Sequence, residues 1–175
     1  MVSDPSTLPS NISVVQYFFE TYKYFIKSRN YEEATKIKTE LADLIENNID
    51  TTARDIMFFG KKLQEDKRFL ESMLIFDAAS TLSKKIKIPA EKMNIIRFCV
   101  LGMMWTSKAM IEEDPAMKVV VKDYVIPLMH YKLHDIESTS SVSEQYKCLH
   151  VSWILQHIEW SQILQEVIGR SVEGK

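Results

Sequence analysis

The amino-acid sequence predicts an all-α protein, and three observations carry that expectation. Only four glycines and five prolines occur in 175 residues, so long helices meet few breaks. Apolar residues recur at helical spacing from Ile12 to Val167. No stretch alternates with the period of two that a half-buried strand requires. With 46% hydrophobic and 26% charged residues, the composition is that of a globular protein of one domain.

About seven helices are expected in a single domain over residues 11–170, between a flexible leader at 1–10 and a disordered tail at 171–175. Pro5 and Pro9 fall in the leader. The first helix carries Ile12, Val15, Phe19, Tyr22 and Ile26. Ser28-Arg29-Asn30 interrupts it, and Ala34, Ile37, Leu41, Leu44 and Ile45 continue as a second helix to Asn47-Asn48, giving a hairpin over 12–48. Asp50, Thr51 and Thr52 are N-cap types ahead of a third helix with Ile56, Phe59, Gly60 and Leu63. A fourth runs from Arg68 through Phe69, Met73, Phe76, Ala79 and Leu82 to Ile86. It stops before Pro89, because the residue preceding proline avoids helical geometry, and closes a second hairpin over 50–88.

Pro89 suits the first turn of a fifth helix, whose stripe is Met93, Ile96, Val100, Met104 and Ile111. Asp114-Pro115 starts a sixth, to about His130, which Pro127 should kink or end early. These two form a degenerate third hairpin over 89–131. After a polar loop at 138–143, a C-terminal helix is expected over 143–169 with Val151, Ile154, Leu155, Ile158, Ile163 and Val167.

The two hairpins share a pattern of small and aromatic residues. Gly60, Leu63, Ser72, Phe76 and Ala79 stand where a small residue admits the second helix and an aromatic or leucine fills the hairpin core. Tyr22, Phe25, Ala34 and Leu41 occupy the same offsets in the first hairpin, and Gly102-x-x-Trp105 gives half of a third unit. The pattern resembles the tetratricopeptide-repeat family, with two to three degenerate units over about residues 12–110. That resemblance implies antiparallel hairpins stacked in a short superhelix or right-handed bundle, and a binding scaffold with a concave groove. The alternative is a helical-bundle regulator that receives a partner helix in an apolar groove. Gly102-x-x-Trp105 with Trp153 and Trp160 is similar to the spacing in the apoptosis regulators of the B-cell lymphoma family, although Thr106-Ser107 and His157-Ile158-Glu159 depart from that family's pattern.

If the two units stack, the groove is lined by Gln16, Phe19, Lys23 and Lys27 from the first helix and by Arg54, Met57, Lys61 and Gln64 from the third. Four of these eight are basic in a chain of net charge -2, which points to an acidic or amphipathic segment of another protein, with Phe19 and Met57 supplying apolar contact. The overall charge gives no reason to expect nucleic acid as a partner. Lys84-Lys85-Ile86-Lys87 reads as a solvated helix end. Cys99 and Cys148 read as reduced core thiols of a cytoplasmic protein, and no apolar run is long enough to span a bilayer. His130 and His134 have the four-residue spacing of a zinc pair, but no glutamate follows the first, and neither metal nor cofactor is expected. No nucleophile elbow, phosphate loop or catalytic carboxylate pair occurs, so no enzyme activity is expected. The apolar C-terminal helix, with Trp153, Trp160 and Leu164, is a candidate interface for a partner or for a homodimer.

Overall fold

A computed structural model of the chain describes residues 3–48 and 52–137, and every element within them is helical. Six helices follow one another among the described residues: α1 (Ser3–Lys27), α2 (Tyr31–Asn48), α3 (Ala53–Glu65), α4 (Phe69–Ser83), α5 (Pro89–Glu113) and α6. A 3₁₀ turn at Pro115–Met117 precedes α6, which joins a short helical turn Lys118–Val120, a π-helical turn Val121–Val125 and the α-helix Ile126–Glu137. The helix begins at Ser3, so α1 takes in most of the stretch expected as a leader. The C-terminal helix expected over 143–169, with Trp153, Trp160 and Leu164, and the tail 171–175 lie outside the described residues.

Side chains and turns set the helix boundaries. Thr52 caps α3: its hydroxyl accepts from the Asp55 amide at 3.2 Å, and the Asp55 carboxylate accepts from the Thr52 amide at 3.2 Å. Asn30 starts α2 in the same manner, its side-chain oxygen accepting from the Glu33 amide at 3.3 Å. Pro89 stands in the first turn of α5, and the Asp114 carboxylate that follows this helix accepts from the Ala116 amide at 3.1 Å.

The two hairpins close in the same way. Arg29 and Lys67 have φ of 62° and 63°, the left-handed conformation that ends a helix in a Schellman turn. Each turn has both of that motif's hydrogen bonds: Asn30 N–H to Phe25 C=O with Arg29 N–H to Ile26 C=O, and Arg68 N–H to Leu63 C=O with Lys67 N–H to Gln64 C=O. Arg29 to Lys67 is 67 − 29 = 38 positions, the same interval that separates Tyr22 from Gly60 and Ala34 from Ser72. The turns of the two hairpins therefore repeat in backbone geometry at the same interval as the residue pattern.

Pro127 does not end the sixth helix early, since the helix continues to Glu137. The π-helical turn immediately before it is the accommodation. A proline ring clashes with the carbonyl four residues earlier and removes one donor, and widening the helix over Val121–Val125 relieves both.

Helix α4 is the centre of the bundle and packs against α1, α2, α3 and α5. Every residue from Glu71 to Ser80 is buried. A helix that is apolar on all sides has no solvent face to present, and Met73-Leu74-Ile75-Phe76 followed by Ala78-Ala79 is such a sequence. Close approach on two sides depends on glycine. A Cβ on Gly60 of α3 would stand 2.9 Å from Cδ1 of Phe76, and one on Gly102 of α5 would stand 2.5 Å from Cε2 and Cζ of the same ring. The Ser72 hydroxyl donates to the Gly60 carbonyl at 2.8 Å and pins the α3–α4 crossing.

Buried polar groups tie the outer helices to this centre. Asp77 of α4 is 1% exposed and lies 2.7 Å from the Lys132 ammonium of α6 and 3.9 Å from that of Lys38 on α2. Its carboxylate oxygens accept no well-aligned hydrogen bond among the described residues, so charge alone holds it. Beside it the Tyr22 hydroxyl of α1 donates to that of Tyr124 on α6 at 3.2 Å, and Tyr31 stacks on Tyr124 with ring centres 5.2 Å apart.

A basic-rimmed cleft at one end of the bundle

The last turn of α1, the α3–α4 turn, the C-terminal end of α5 and the Pro115–Met117 turn surround an open cleft of about 310 Å³. That is at the lower end of the roughly 300–1,000 Å³ usual for ligand sites. Phe69, Leu70, Met110 and Met117 supply its apolar lining. Lys23, Lys27, Lys67 and Arg68 line one side, while Glu113 and Asp114 line it from the end of α5. Glu71 lines the cleft as well, so four cations and three carboxylates surround the apolar floor.

The four cations are held differently. Arg68 donates from Nε at 3.0 Å and from Nη2 at 2.5 Å to one oxygen of Glu71, and its guanidinium lies 5.4 Å over the Phe19 ring. Lys23 stands 3.7 Å from the same Glu71 oxygen and 3.0 Å from Glu20. Glu71, 7% exposed, therefore gathers two of the cations and joins α1 to α4. Lys27 and Lys67 are exposed and make no ion pair among the described residues. The left-handed turn at Lys67 places its side chain at the tip of the second hairpin, beside the end of α1.

The structure separates the eight residues expected in one groove. Lys23 and Lys27 line the cleft, and Gln16, exposed two turns earlier on α1, bonds to Glu20 at 2.9 Å. Phe19 and Met57 are each 3% exposed and belong to the core, so neither offers open apolar contact. Gln64 is spent on packing: its amide donates to the Gly102 carbonyl at 3.1 Å and to the Thr106 hydroxyl at 2.9 Å. Arg54 and Lys61 are exposed but lie on the flank of α3 that faces α5. The opposite flank meets α1, where Phe59 packs on Phe19 with ring centres 6.4 Å apart. Counting helix faces from Ala34 and Ser72 assumed that α1 and α3 present one continuous surface, and α3 instead has a neighbour on each side. The cleft also contains Lys67 and Arg68, which were not among the eight. Their signal was a pair of basic residues at the tip of a hairpin whose 38-residue counterpart, Arg29, also ends a helix.

A second juxtaposition, invisible in the sequence, joins Ser80 to Lys132, whose ammonium donates to the serine oxygen. A serine beside a lysine can form a hydrolytic dyad. Here the Ser80 hydroxyl donates to the Asp77 carbonyl at 2.8 Å, Asp77 pairs with the lysine, and the adjoining void of about 10 Å³ has room for about one water. The arrangement ties α6 to α4 and leaves no space for a substrate. Among the described residues no cluster of three histidine, cysteine or acidic side chains is placed to hold a metal ion, and no helix is long and apolar enough to cross a membrane. His130 and His134 both stand on α6, with side chains outside those described.

The chain matches no known family model, no curated protein and no solved structure at a significant level.

Proposed function

We propose that this protein is a non-enzymatic, cytoplasmic interaction module whose cleft receives a short acidic or amphipathic segment of a partner protein. The observation that supports it is the pair of exposed lysines, Lys27 and Lys67, over the apolar floor of Phe69, Leu70, Met110 and Met117. An acidic side chain meets the lysines, and a neighbouring apolar one enters the floor, where two flexible methionines adapt to its shape. Glu113 and Asp114 repel an acid at the far side, so the segment runs from an acidic residue near α1 to a neutral or basic one near α5. Cys99, buried and unbridged, fits a reducing compartment, and the net charge of -2 gives nucleic acid no general attraction.

The test is a pull-down from lysate with the wild-type chain, Lys27→Glu/Lys67→Glu and Lys61→Glu in parallel. The double variant should lose the proteins that both others retain. Recovery of the same proteins by all three would remove the cleft from the reading.

A further inference from the structure

The side of the cleft next to α1 carries more positive charge than its own carboxylates offset. One oxygen of Glu71 takes both donors of Arg68 and lies 3.7 Å from the Lys23 ammonium, which is also 3.0 Å from Glu20. Two cations and two carboxylates are matched in this way. Lys27, in the last turn of α1, and Lys67, at the left-handed turn before α4, are exposed and have no such partner among the described residues. Across the cleft the Asp114 carboxylate is spent on the Ala116 amide, and Glu113 stands at the end of α5. Two uncompensated positive charges therefore share one opening of about 310 Å³ with an apolar floor.

We propose that the acid met by Lys27 and Lys67 is a phosphate monoester on the partner segment, which makes the cleft a phosphopeptide site; this rests on the reading of the cleft as a receptor for an acidic segment. A phosphorylated side chain carries a charge of about −1.5 to −2 at neutral pH, which matches the two lysines, whereas a single carboxylate offsets only one of them. Its three terminal oxygens accept from both ammoniums at once, and lysine binds phosphate as a point charge without the planar fork of arginine. The cleft is at the small end of ligand sites, so it suits both charges on one side chain beside an apolar neighbour rather than on two side chains. A bilayer is the poorer occupant. Glu113 and Asp114 line the same opening and would face an anionic surface together with the lysines, while a peptide can turn a neutral or basic residue toward them.

The probes are three labelled peptides that share a leucine and, beyond it, a lysine, and that differ only beside the leucine, where they hold phosphoserine, glutamate or serine. Their affinities for the full chain are compared by fluorescence anisotropy. The phosphoserine peptide should bind about tenfold or more tightly than the glutamate peptide, with the serine peptide weakest. Lys27→Glu/Lys67→Glu should abolish that preference, and Lys27→Arg/Lys67→Arg, which keeps both charges, should retain it, with the thermal midpoint kept in each. Lys27→Met and Lys67→Met alone should each reduce the preference by about threefold or more. Equal affinity for the phosphoserine and glutamate peptides, both lost in Lys27→Glu/Lys67→Glu, overturns the phosphate and leaves the acidic-segment reading standing. Binding of none of the three overturns both. A phosphoserine preference that persists in Lys27→Glu/Lys67→Glu overturns the assignment to the cleft. Inorganic phosphate that displaces the phosphopeptide at equal concentration overturns the proposal in favour of a free anion. Binding to vesicles of phosphatidylcholine with a phosphoinositide, lost in Lys27→Glu/Lys67→Glu and without phosphopeptide binding, overturns it in favour of a membrane surface.

Discussion

The ring of Phe76 rests against the backbone of Gly102, where an added Cβ would come within 2.5 Å of two of its carbons. On its other side stands Gly60, whose Cβ would meet the ring at 2.9 Å. The central helix is thereby clasped between α3 and α5 through one side chain, and the ring has nowhere to move.

Gly102→Ala should therefore destabilise the fold by about 2–3 kcal/mol, the upper part of the range for overpacking a core. Gly60→Ala should cost less, because its contact is longer. Urea unfolding checks both. Combining Gly102→Ala with Phe76→Leu should cost less than the sum of the single changes, since the smaller side chain vacates the space, and full additivity would contradict the clasp.

The ion pair of Asp77 and Lys132 is 1% and 6% exposed. Lys132→Met leaves a buried carboxylate with only Lys38, 3.9 Å away, for compensation. A loss of about 3 kcal/mol is expected, and Asp77→Asn added to it should restore a large part. If the double variant is no more stable than the single one, the charge of Asp77 is not what the lysine offsets.

Arg29 occupies the left-handed region with φ 62° in an exposed turn. Glycine takes that conformation without a Cβ penalty, so Arg29→Gly should stabilise the protein by about 0.5–1 kcal/mol. A lower thermal midpoint would show that the arginine side chain contributes more than its backbone costs.

Burial pushes the Cys99 thiol up to about 12 from 9.0, and burial likewise raises the Tyr22 and Tyr124 hydroxyls, which also hydrogen-bond each other. A group whose folded pKa is raised holds its proton more tightly in the native state. Its contribution is complete below the unfolded value and is lost as pH rises toward the folded one. Stability should thus fall between about pH 9 and 12 in urea titrations, less steeply for Cys99→Ala than for wild type. The native thiol should resist an alkylating reagent at neutral pH. Rapid modification of Cys99 in the folded chain would contradict its burial.

Helix boundaries were legible because residues mark them locally: Ser28-Arg29-Asn30 as an interruption, Thr52 as a cap, Pro89 as a start and Asp114-Pro115 as the next start. The α3–α4 crossing was legible too, since Gly60, Ser72 and Phe76 interact across a short turn. The centrality of α4 was not, because a search for one amphipathic stripe passes over a helix apolar on every side. Nor was the Asp77–Lys132 pair, whose partners are separated by 132 − 77 = 55 positions with no local periodicity to join them. Six of the eight residues expected in one groove lie outside the cleft for a related reason. Lys23 and Lys61 lie on helices whose faces diverge around Phe19 and Phe59, and only packing reveals which flank of α3 meets α1.

The central claim is that Lys27 and Lys67 together recognise an acid beside an apolar residue. Its most direct measurement is calorimetric titration of a short synthetic peptide carrying adjacent glutamates and a leucine into the wild-type chain and into Lys27→Glu/Lys67→Glu. The wild type should bind, with affinity that falls as salt is raised, and the double variant should bind roughly tenfold or more weakly while Lys61→Glu matches the wild type. Equal affinity in the wild type and the double variant, or a loss in Lys61→Glu alone, would contradict the account.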